Sequence, residues 1–171
     1  MHTCGRLSFC LLALALFAAV SSAQPITYYV QGTFGDAGTF SGNFTYDAAA
    51  NIYSAVNVTT TPGTVRTTGA TYTFVCGQDV PTCTGVSPDA TGYLNLTSTA
   101  ADQTGLPAMS LFFPVPLAPP PSFAPTFDGL FSLEANCSNA TCSAPVDPIR
   151  STSTATIASS ETLEEYMFFH S

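Results

Sequence analysis

From residue 26 onwards, apolar and small polar residues alternate with a period of two along much of this chain. Such alternation places successive side chains on opposite faces of a β-strand. Residues 26–34 and 39–46 show it on either side of the turn-forming segment 35–38, which predicts a β-hairpin. The pattern returns at residues 52–60, so we expect three sequential strands joined as a β-meander.

Further strands are predicted after Pro62-Gly63, which stops the third strand. They are expected at residues 70–76, 92–98, 108–113, 127–135 and 150–158. Residues 114–125 are rich in proline, which cannot donate to a β-ladder, so we interpret them as a surface crossing, with an interdomain linker as the alternative. Thr162 and Glu165 have capping-box spacing and predict a short helical turn. The fold class expected is all-β: an antiparallel β-sandwich or partly closed barrel of about 7–9 strands.

The first residues have the composition of an export signal. Arg6 precedes an apolar run at residues 11–20, and small residues follow at 21–23. The run is about half the length needed to span a bilayer, which disfavours the alternative of an uncleaved anchor. We therefore predict that residues 1–23 are a signal peptide and that 24–171 form one secreted domain without a membrane span.

The excess of acidic over basic residues disfavours some classes of binding partner. The chain has 11 acidic residues against three basic ones and contains no lysine, and beyond the predicted leader only Arg66 and Arg150 are basic. A chain so poor in cations cannot neutralise phosphates, so nucleic acid and anionic membrane surfaces are not expected partners. Its solvation must come largely from Thr and Ser hydroxyls.

Four cysteines follow the predicted leader: Cys76, Cys83, Cys137 and Cys142. An even number of cysteines in an exported chain indicates disulfides, and two local bridges, Cys76–Cys83 and Cys137–Cys142, are the simplest of the three possible pairings. A four-thiolate zinc site is the alternative, although the spacings lack the close pairs that such sites favour.

Five Asn-x-Ser/Thr triplets occur, which in a eukaryotic secretory pathway would be glycan acceptors. They begin at Asn43, Asn57, Asn95, Asn136 and Asn139. A chain this rich in Thr and Ser also generates such triplets by chance. The sequence leaves both interpretations open.

The run from Phe34 to Asp47, with the segment Tyr53–Thr60 after it, resembles the opening of a family of exported bacterial proteins. In that family a meander of the form GTF-x-G-x-F-x-YD begins a small β-rich domain of unknown function, often ahead of a PEP-CTERM sorting tail. Residues 131–133 and 150–156 are similar to its closing strands. The sorting tail is missing here, so the resemblance implies a released protein, and it brings no catalytic residues or cofactor.

The sequence offers little for catalysis, and we expect no enzyme, cofactor or metal. The only histidine after the predicted leader is His170, next to the C-terminus, which disfavours a serine-type triad. A carboxylate-based hydrolase stays a second alternative, but its candidate acids are better explained otherwise. Asp36, Asp47, Asp79 and Asp89 lie in predicted turns, where aspartate bonds its own backbone. Asp128 and Glu134 are interpreted as a solvated strand edge. Calcium, with Asp79 and Asp89 as candidates, is the weaker alternative for such loops.

A ligand-binding face is the remaining candidate site. Tyr29 and Tyr53 are placed by the alternation on the polar face of the meander, beside Asn43 and Asn57, a composition suited to carbohydrate. Core or cross-strand packing is the alternative for these rings. We therefore expect a non-enzymatic surface, matrix or binding module, alternatively a carbohydrate-binding module, with extracellular polysaccharide among its candidate partners.

Overall fold

The computed structural model describes residues 24–83, 93–113, 117, 127–128 and 130–160. Within them the chain forms ten β-strands. These are β1 (Ile26–Phe34), β2 (Thr39–Asp47), β3 (Ile52–Thr60), β4 (Thr71–Tyr72), β5 (Phe74–Val75), β6 (Tyr93–Thr97), β7 (Pro107–Phe112), β8 (Phe127–Asp128), β9 (Phe131–Cys137) and β10 (Pro145–Ser159). All strand pairs are antiparallel, so the predicted all-β antiparallel class is confirmed.

The strands form a nearly closed barrel. Their order is β4-β3-β2-β1-β10-β9-β7-β6-β5, and β8 also pairs with β10. The two end strands of this order, β4 and β5, are separated in the chain by Thr73 alone. One chain segment therefore pairs with β3 through its first half and with β6 through its second, which brings the two edges of the sheet together. Closure removes the open edges at which sheets aggregate.

The barrel can be divided into two sheets, and strand β10 belongs to both of them. Its end pairs with β1, and its beginning pairs with β9. We call the half made of β1–β4 and the end of β10 sheet 1, and the half made of β5–β7, β9 and the start of β10 sheet 2. The two crossing segments, β10 and β4–β5, thus join the sheets on both sides.

Aromatic and aliphatic side chains fill the space between the sheets. Tyr28, Phe34, Phe40 and Phe44 are all buried on the inward faces of the β1–β2 hairpin, as the alternation predicted. They meet Leu94, Leu96, Met109 and Leu111 from sheet 2. Burying such side chains stabilises the fold by about 1.5–3 kcal/mol each.

Strand β3 departs from simple alternation, and this corrects one prediction. Tyr53 is 1% exposed and its ring packs against Phe44 and Tyr46, so it does not lie on the polar face. The β2–β3 register shifts between Asn43 and Thr45, and Ala55 has a φ of 49°. A bulge of this kind reverses which side chains point inward, so Tyr53 and Val56 both reach the core.

The C-terminal strands also differ from the predicted ones. The segment expected as one strand at 127–135 is two strands, β8 and β9, which pair with opposite ends of β10. The last strand, predicted to cover residues 150–158, begins at Pro145 and is the longest described, with 15 residues. The predicted leader, the helical turn at 162–165 and most of the 114–125 crossing lie outside the described residues.

The positive φ of Ala55 makes a testable prediction. A residue with a Cβ is disfavoured in the left-handed region by about 1–2 kcal/mol, so Ala55→Gly should raise the free energy of unfolding by up to about 1 kcal/mol. The matched change Ala108→Gly, in regular strand β7, should lower it by about 0.5–1 kcal/mol. Denaturant unfolding followed by circular dichroism measures both. Equal destabilisation by the two substitutions would contradict the bulge.

Candidate functional site

A carboxylate-based active site would need acidic side chains that lie close together and can be reached by a substrate. Glu134 lies on β9 and is 0% exposed, with its side chain between the two sheets. The interpretation of this residue as a solvated strand edge was therefore wrong. A buried carboxylate needs charged or hydrogen-bonding partners, and Glu134 has them on both oxygens.

Two buried arginines and two hydroxyl groups surround Glu134. Arg150 Nε and Nη2 lie 2.6 and 2.5 Å from Glu134 Oε2. Arg66 Nε lies 3.4 Å from Oε1, which also accepts hydrogen bonds from Thr60 Oγ1, at 3.1 Å, and from the Tyr72 hydroxyl. Burial, together with the adjacent Glu134 charge, raises the pKa of Tyr72, so this hydroxyl stays protonated and donates.

Asp36, in the β1–β2 turn, also pairs with Arg150. We call Asp36, Arg66, Glu134 and Arg150 the buried ion cluster. The Asp36 carboxylate lies 3.4 Å from Arg150 Nη1 and accepts backbone N–H bonds from Gly38, Val65 and Arg66. Burial raises the pKa of Asp36, but the three N–H donors and the Arg150 charge outweigh it, so the pKa falls below its ordinary value. The Arg150 guanidinium also sits 4.1 Å from the centre of the Phe34 ring.

The buried ion cluster is enclosed and carries no net formal charge. Its two arginines balance its two acids, and all four side chains are buried. Other acids bond their own turns, as predicted: Asp47 accepts from the N–H groups of Ala49 and Ala50, and Asp79 accepts from that of Val75. Asp89 lies outside the described residues. Within the described ranges no group of three metal-ligating side chains occurs.

A row of aromatic rings crosses the outer face of sheet 2. Tyr93 on β6, Phe112 on β7 and Phe131 on β9 occupy one register row, with ring centroids 5.7 and 5.5 Å apart. Phe112 is 37% and Phe131 44% exposed. The three rings form one apolar row, and the other exposed large hydrophobic residues on described strands, Tyr29, Ile52, Val146 and Ile149, lie outside it. Exposed rings in contact with one another are typical of binding surfaces.

A groove adjoins this ring row on the same face. Its floor consists of the next two rows of paired residues on β6, β7 and β9. The first row is Asn95, Ser110 and Leu133, and the second is Thr97, Ala108 and Ala135. The small side chains of β7 make the floor low, while segments around Cys76–Cys83 and Cys142–Pro145 form the walls. The groove encloses about 220 Å³. We call the ring row and the groove together the ring-and-groove face.

Three of the four paired cysteines, Cys76, Cys83 and Cys142, line the groove. Cys76 and Cys83, with Cα atoms 5.3 Å apart, and Cys137 and Cys142, 4.5 Å apart, are paired as the two local bridges. These pairs are the simplest of the three possible pairings. Each bridge closes a short loop that contributes at least one lining residue to the groove.

The predicted tyrosine pair does not form a binding face. Tyr29 is 46% exposed on the outer face of β1, as expected, but Tyr53 is buried in the core. A broader depression of about 410 Å³ lies on the outer face of β1, β2 and β10, and Thr and Ser side chains line much of it. Tyr29 is not among its lining residues. The ring-and-groove face was missed because its rings come from three strands distant in sequence.

The triplet asparagines occupy different environments. Asn57 and Asn139 are exposed, whereas Asn43 and Asn95 are partly buried. The Asn136 amide oxygen accepts a hydrogen bond from Arg66 Nη1 at 2.8 Å, which connects the groove wall to the buried ion cluster. Among the five triplets, Asn57 and Asn139 therefore offer the most accessible side chains.

Comparison with known proteins returned no relatives: no protein-family model, curated protein or solved structure matches this chain significantly.

In the described part of the chain, no helix has both the length and the apolar character required to cross a membrane.

The buried ion cluster predicts a large effect for one isosteric change. Glu134→Gln removes the charge that compensates Arg66 and Arg150 and should lower the free energy of unfolding by about 3–5 kcal/mol. Asp102→Asn, the same acid-to-amide change on an exposed residue, should change it by less than about 0.5 kcal/mol. Guanidinium unfolding at pH 7 measures both. A Glu134→Gln effect as small as that of the control would show that Glu134 is solvated.

The lowered pKa of Asp36 predicts a pH dependence. Because the folded-state pKa lies below the unfolded value of about 3.9, ionised Asp36 stabilises the fold above that value, and this contribution is lost as the pH falls through the folded pKa. The difference in unfolding free energy between wild type and Asp36→Asn should therefore be constant from pH 7 to 5 and shrink below pH 4. A difference independent of pH would contradict this assignment.

Proposed function

We propose that this protein is a non-enzymatic, extracytoplasmic binding module that holds a neutral ligand on its ring-and-groove face. The observation that carries the proposal is the register of three strands. It sets the exposed rings of Phe112 and Phe131 in one row directly beside a groove with a mixed polar and apolar floor. Binding sites combine these two features, an apolar contact surface and a few placed polar groups.

The environment of the acids supports a non-enzymatic role. Asp36 and Glu134 both pair with Arg150. Each carboxylate is buried and contacts arginines and hydrogen-bond donors. A glycosidase needs one carboxyl that can donate a proton and one that can attack or activate water. Neither role suits carboxylates that are enclosed and already paired.

The placement of the arginines supports a neutral ligand. Arg66 and Arg150, the only Lys or Arg residues after the predicted leader, are both buried in the ion cluster. The described surface thus offers no Lys or Arg side chain to a phosphate, sulfate or carboxylate group. Anionic polymers would be repelled by the remaining acids.

The two disulfide bridges and the predicted signal peptide support an extracytoplasmic location. Disulfides persist in oxidising compartments and are rare in the cytosol. The resemblance to exported bacterial β-rich domains agrees with this location and stays a prediction.

A probe titration tests the proposed face. Benzyl alcohol, cyclohexanol and indole, as small neutral probes, should shift the amide NMR signals of β6, β7 and β9 more than those of sheet 1. The double variant Phe112→Ala/Phe131→Ala should weaken probe binding about tenfold, since each lost ring contact is worth about 0.5–1.5 kcal/mol.

Tyr29→Ala is the matched control, because it removes an equally exposed ring from sheet 1. It should leave the probe affinity unchanged. Shifts that centre on Tyr29, or that survive the double variant undiminished, would refute the ring-and-groove face as the binding site.

A further inference from the structure

The ring-and-groove face carries a protrusion and a concavity side by side. Phe112, in the ring row, ends β7, and the groove floor begins two residues earlier on the same strand, at Ser110, and continues at Ala108. Ser110 and Ala108 have small side chains, whereas the Phe112 ring beside them is 37% exposed. The face is therefore raised along one row of residues and lowered along the next two.

The protrusion and the concavity match in length and direction. The ring centroids lie 5.7 and 5.5 Å apart. The groove floor crosses the same three strands, β6, β7 and β9, a width of about 10 Å at the usual strand spacing. Residues on one face of a strand follow one another every 7 Å or so, which places the ring row about 10 Å from the middle of the groove.

A two-fold axis exchanges these two features between copies of the chain. If the axis lies in the interface, parallel to the ring row and between the row and the groove, it reverses the direction along the strands and keeps the strand order. The ring row of each copy then lies over the groove of the other. Phe112 of the second copy faces the space between Ser110 and Ala108. A two-fold interface requires self-complementarity of this kind.

The charge of the chain favours this face as the contact. Copies with a formal net charge of −8 repel one another. None of the described residues that form the ring row or line the groove is charged, so acids are not brought face to face here. Salt screens the repulsion between the acids elsewhere on the two copies. Association through this face should therefore strengthen as the ionic strength rises.

We propose that the partner of the ring-and-groove face is a second copy of this chain, in a two-fold dimer where the rings of each copy fill the groove of the other. This inference rests on the proposed function, because it names the occupant of that face. The face measures about 10 by 13 Å, well under the area of about 800 Å² per partner of a standard interface. The dimer is therefore weak, with a Kd of about 0.1–1 mM, and a small neutral ligand competes with it.

The test uses the full chain secreted into a bacterial periplasm, where the disulfides can form. Sedimentation equilibrium and amide NMR are recorded from about 0.02 to 2 mM, on both sides of the expected Kd. The mean mass should rise towards that of a dimer, and the amide signals of β6, β7 and β9 should shift with concentration. Added sodium chloride should lower the Kd, and benzyl alcohol, cyclohexanol or indole should raise the apparent Kd.

An isotope-mixed sample tests the geometry of the dimer. Ala108 and Phe112 are four residues apart on β7, about 13 Å along the strand, which is too far for a nuclear Overhauser contact within one copy. A mixture of labelled and unlabelled chains should show a contact between the Ala108 methyl group and the Phe112 ring. Its origin is then a pair of copies with ring row over groove.

Variants of both features are compared with matched changes on sheet 1. Phe112→Ala/Phe131→Ala should weaken association at least about thirtyfold, because symmetry counts each lost ring contact twice. Ser110→Leu fills the groove floor, leaves the rings intact and should weaken association about tenfold or more. Tyr29→Ala and Ser41→Leu, on exposed residues of sheet 1, should leave the Kd unchanged. Thermal unfolding of each variant confirms that it is folded.

Failure of the inference differs from failure of the proposed function. The dimer is overturned if the chain stays monomeric at 2 mM or so, if association survives Ser110→Leu undiminished, or if the rings contact residues 84–92 or 114–126 of their own chain. In each of these cases, neutral probes that still perturb β6, β7 and β9 leave the proposed function standing. If neither the probes nor a second copy perturbs these strands, both are overturned.

Discussion

The structure depends on one buried carboxylate, Glu134, held between two arginines. Its partners include one residue from each segment that joins the sheets, Tyr72 of β4 and Arg150 of β10, and Thr60 of β3 in sheet 1. Asp36, in the β1–β2 turn, binds the far side of Arg150. Removing such charges from water is costly unless every one is paired. The favourable arrangement is therefore the one in which β3, β4, β9 and β10 all meet, and that arrangement is the nearly closed barrel.

The inward position of Glu134 also determines which side chains of β9 face the solvent. Neighbouring side chains on a strand point to opposite faces, so the register that turns Ser132 and Glu134 inward turns Phe131 and Leu133 outward. Phe131 then aligns with Phe112 and Tyr93, and Leu133 with Ser110 and Asn95. The ring-and-groove face and Glu134 of the buried ion cluster therefore lie on opposite sides of β9. The Arg66–Asn136 hydrogen bond connects the two directly.

Much of the fold could be predicted from the sequence because alternation is strong where one face packs on the core. Strands β1 and β2, with the inward Tyr28, Val30 and Phe44, follow it. The pattern failed at Tyr53, since a bulge at Ala55 shifts the alternation without any Gly or Pro to mark it. It failed at Glu134 for another reason: local sequence carries no sign that Arg66 and Arg150, far away in the chain, will neutralise it. The binding face was missed likewise, because only strand order brings its three rings together.

The burial of both arginines tests this account most directly, and it can be read from their side-chain Nε–H groups. Few arginines are present, so Arg66 and Arg150 are readily assigned in a ¹H–¹⁵N spectrum. Exchange of these protons with solvent at neutral pH is rapid for a free guanidinium and slow for one enclosed in paired charges. The account predicts two dispersed signals whose exchange slows towards the rate of global unfolding. Signals that exchange as fast as those of a solvated arginine would contradict it.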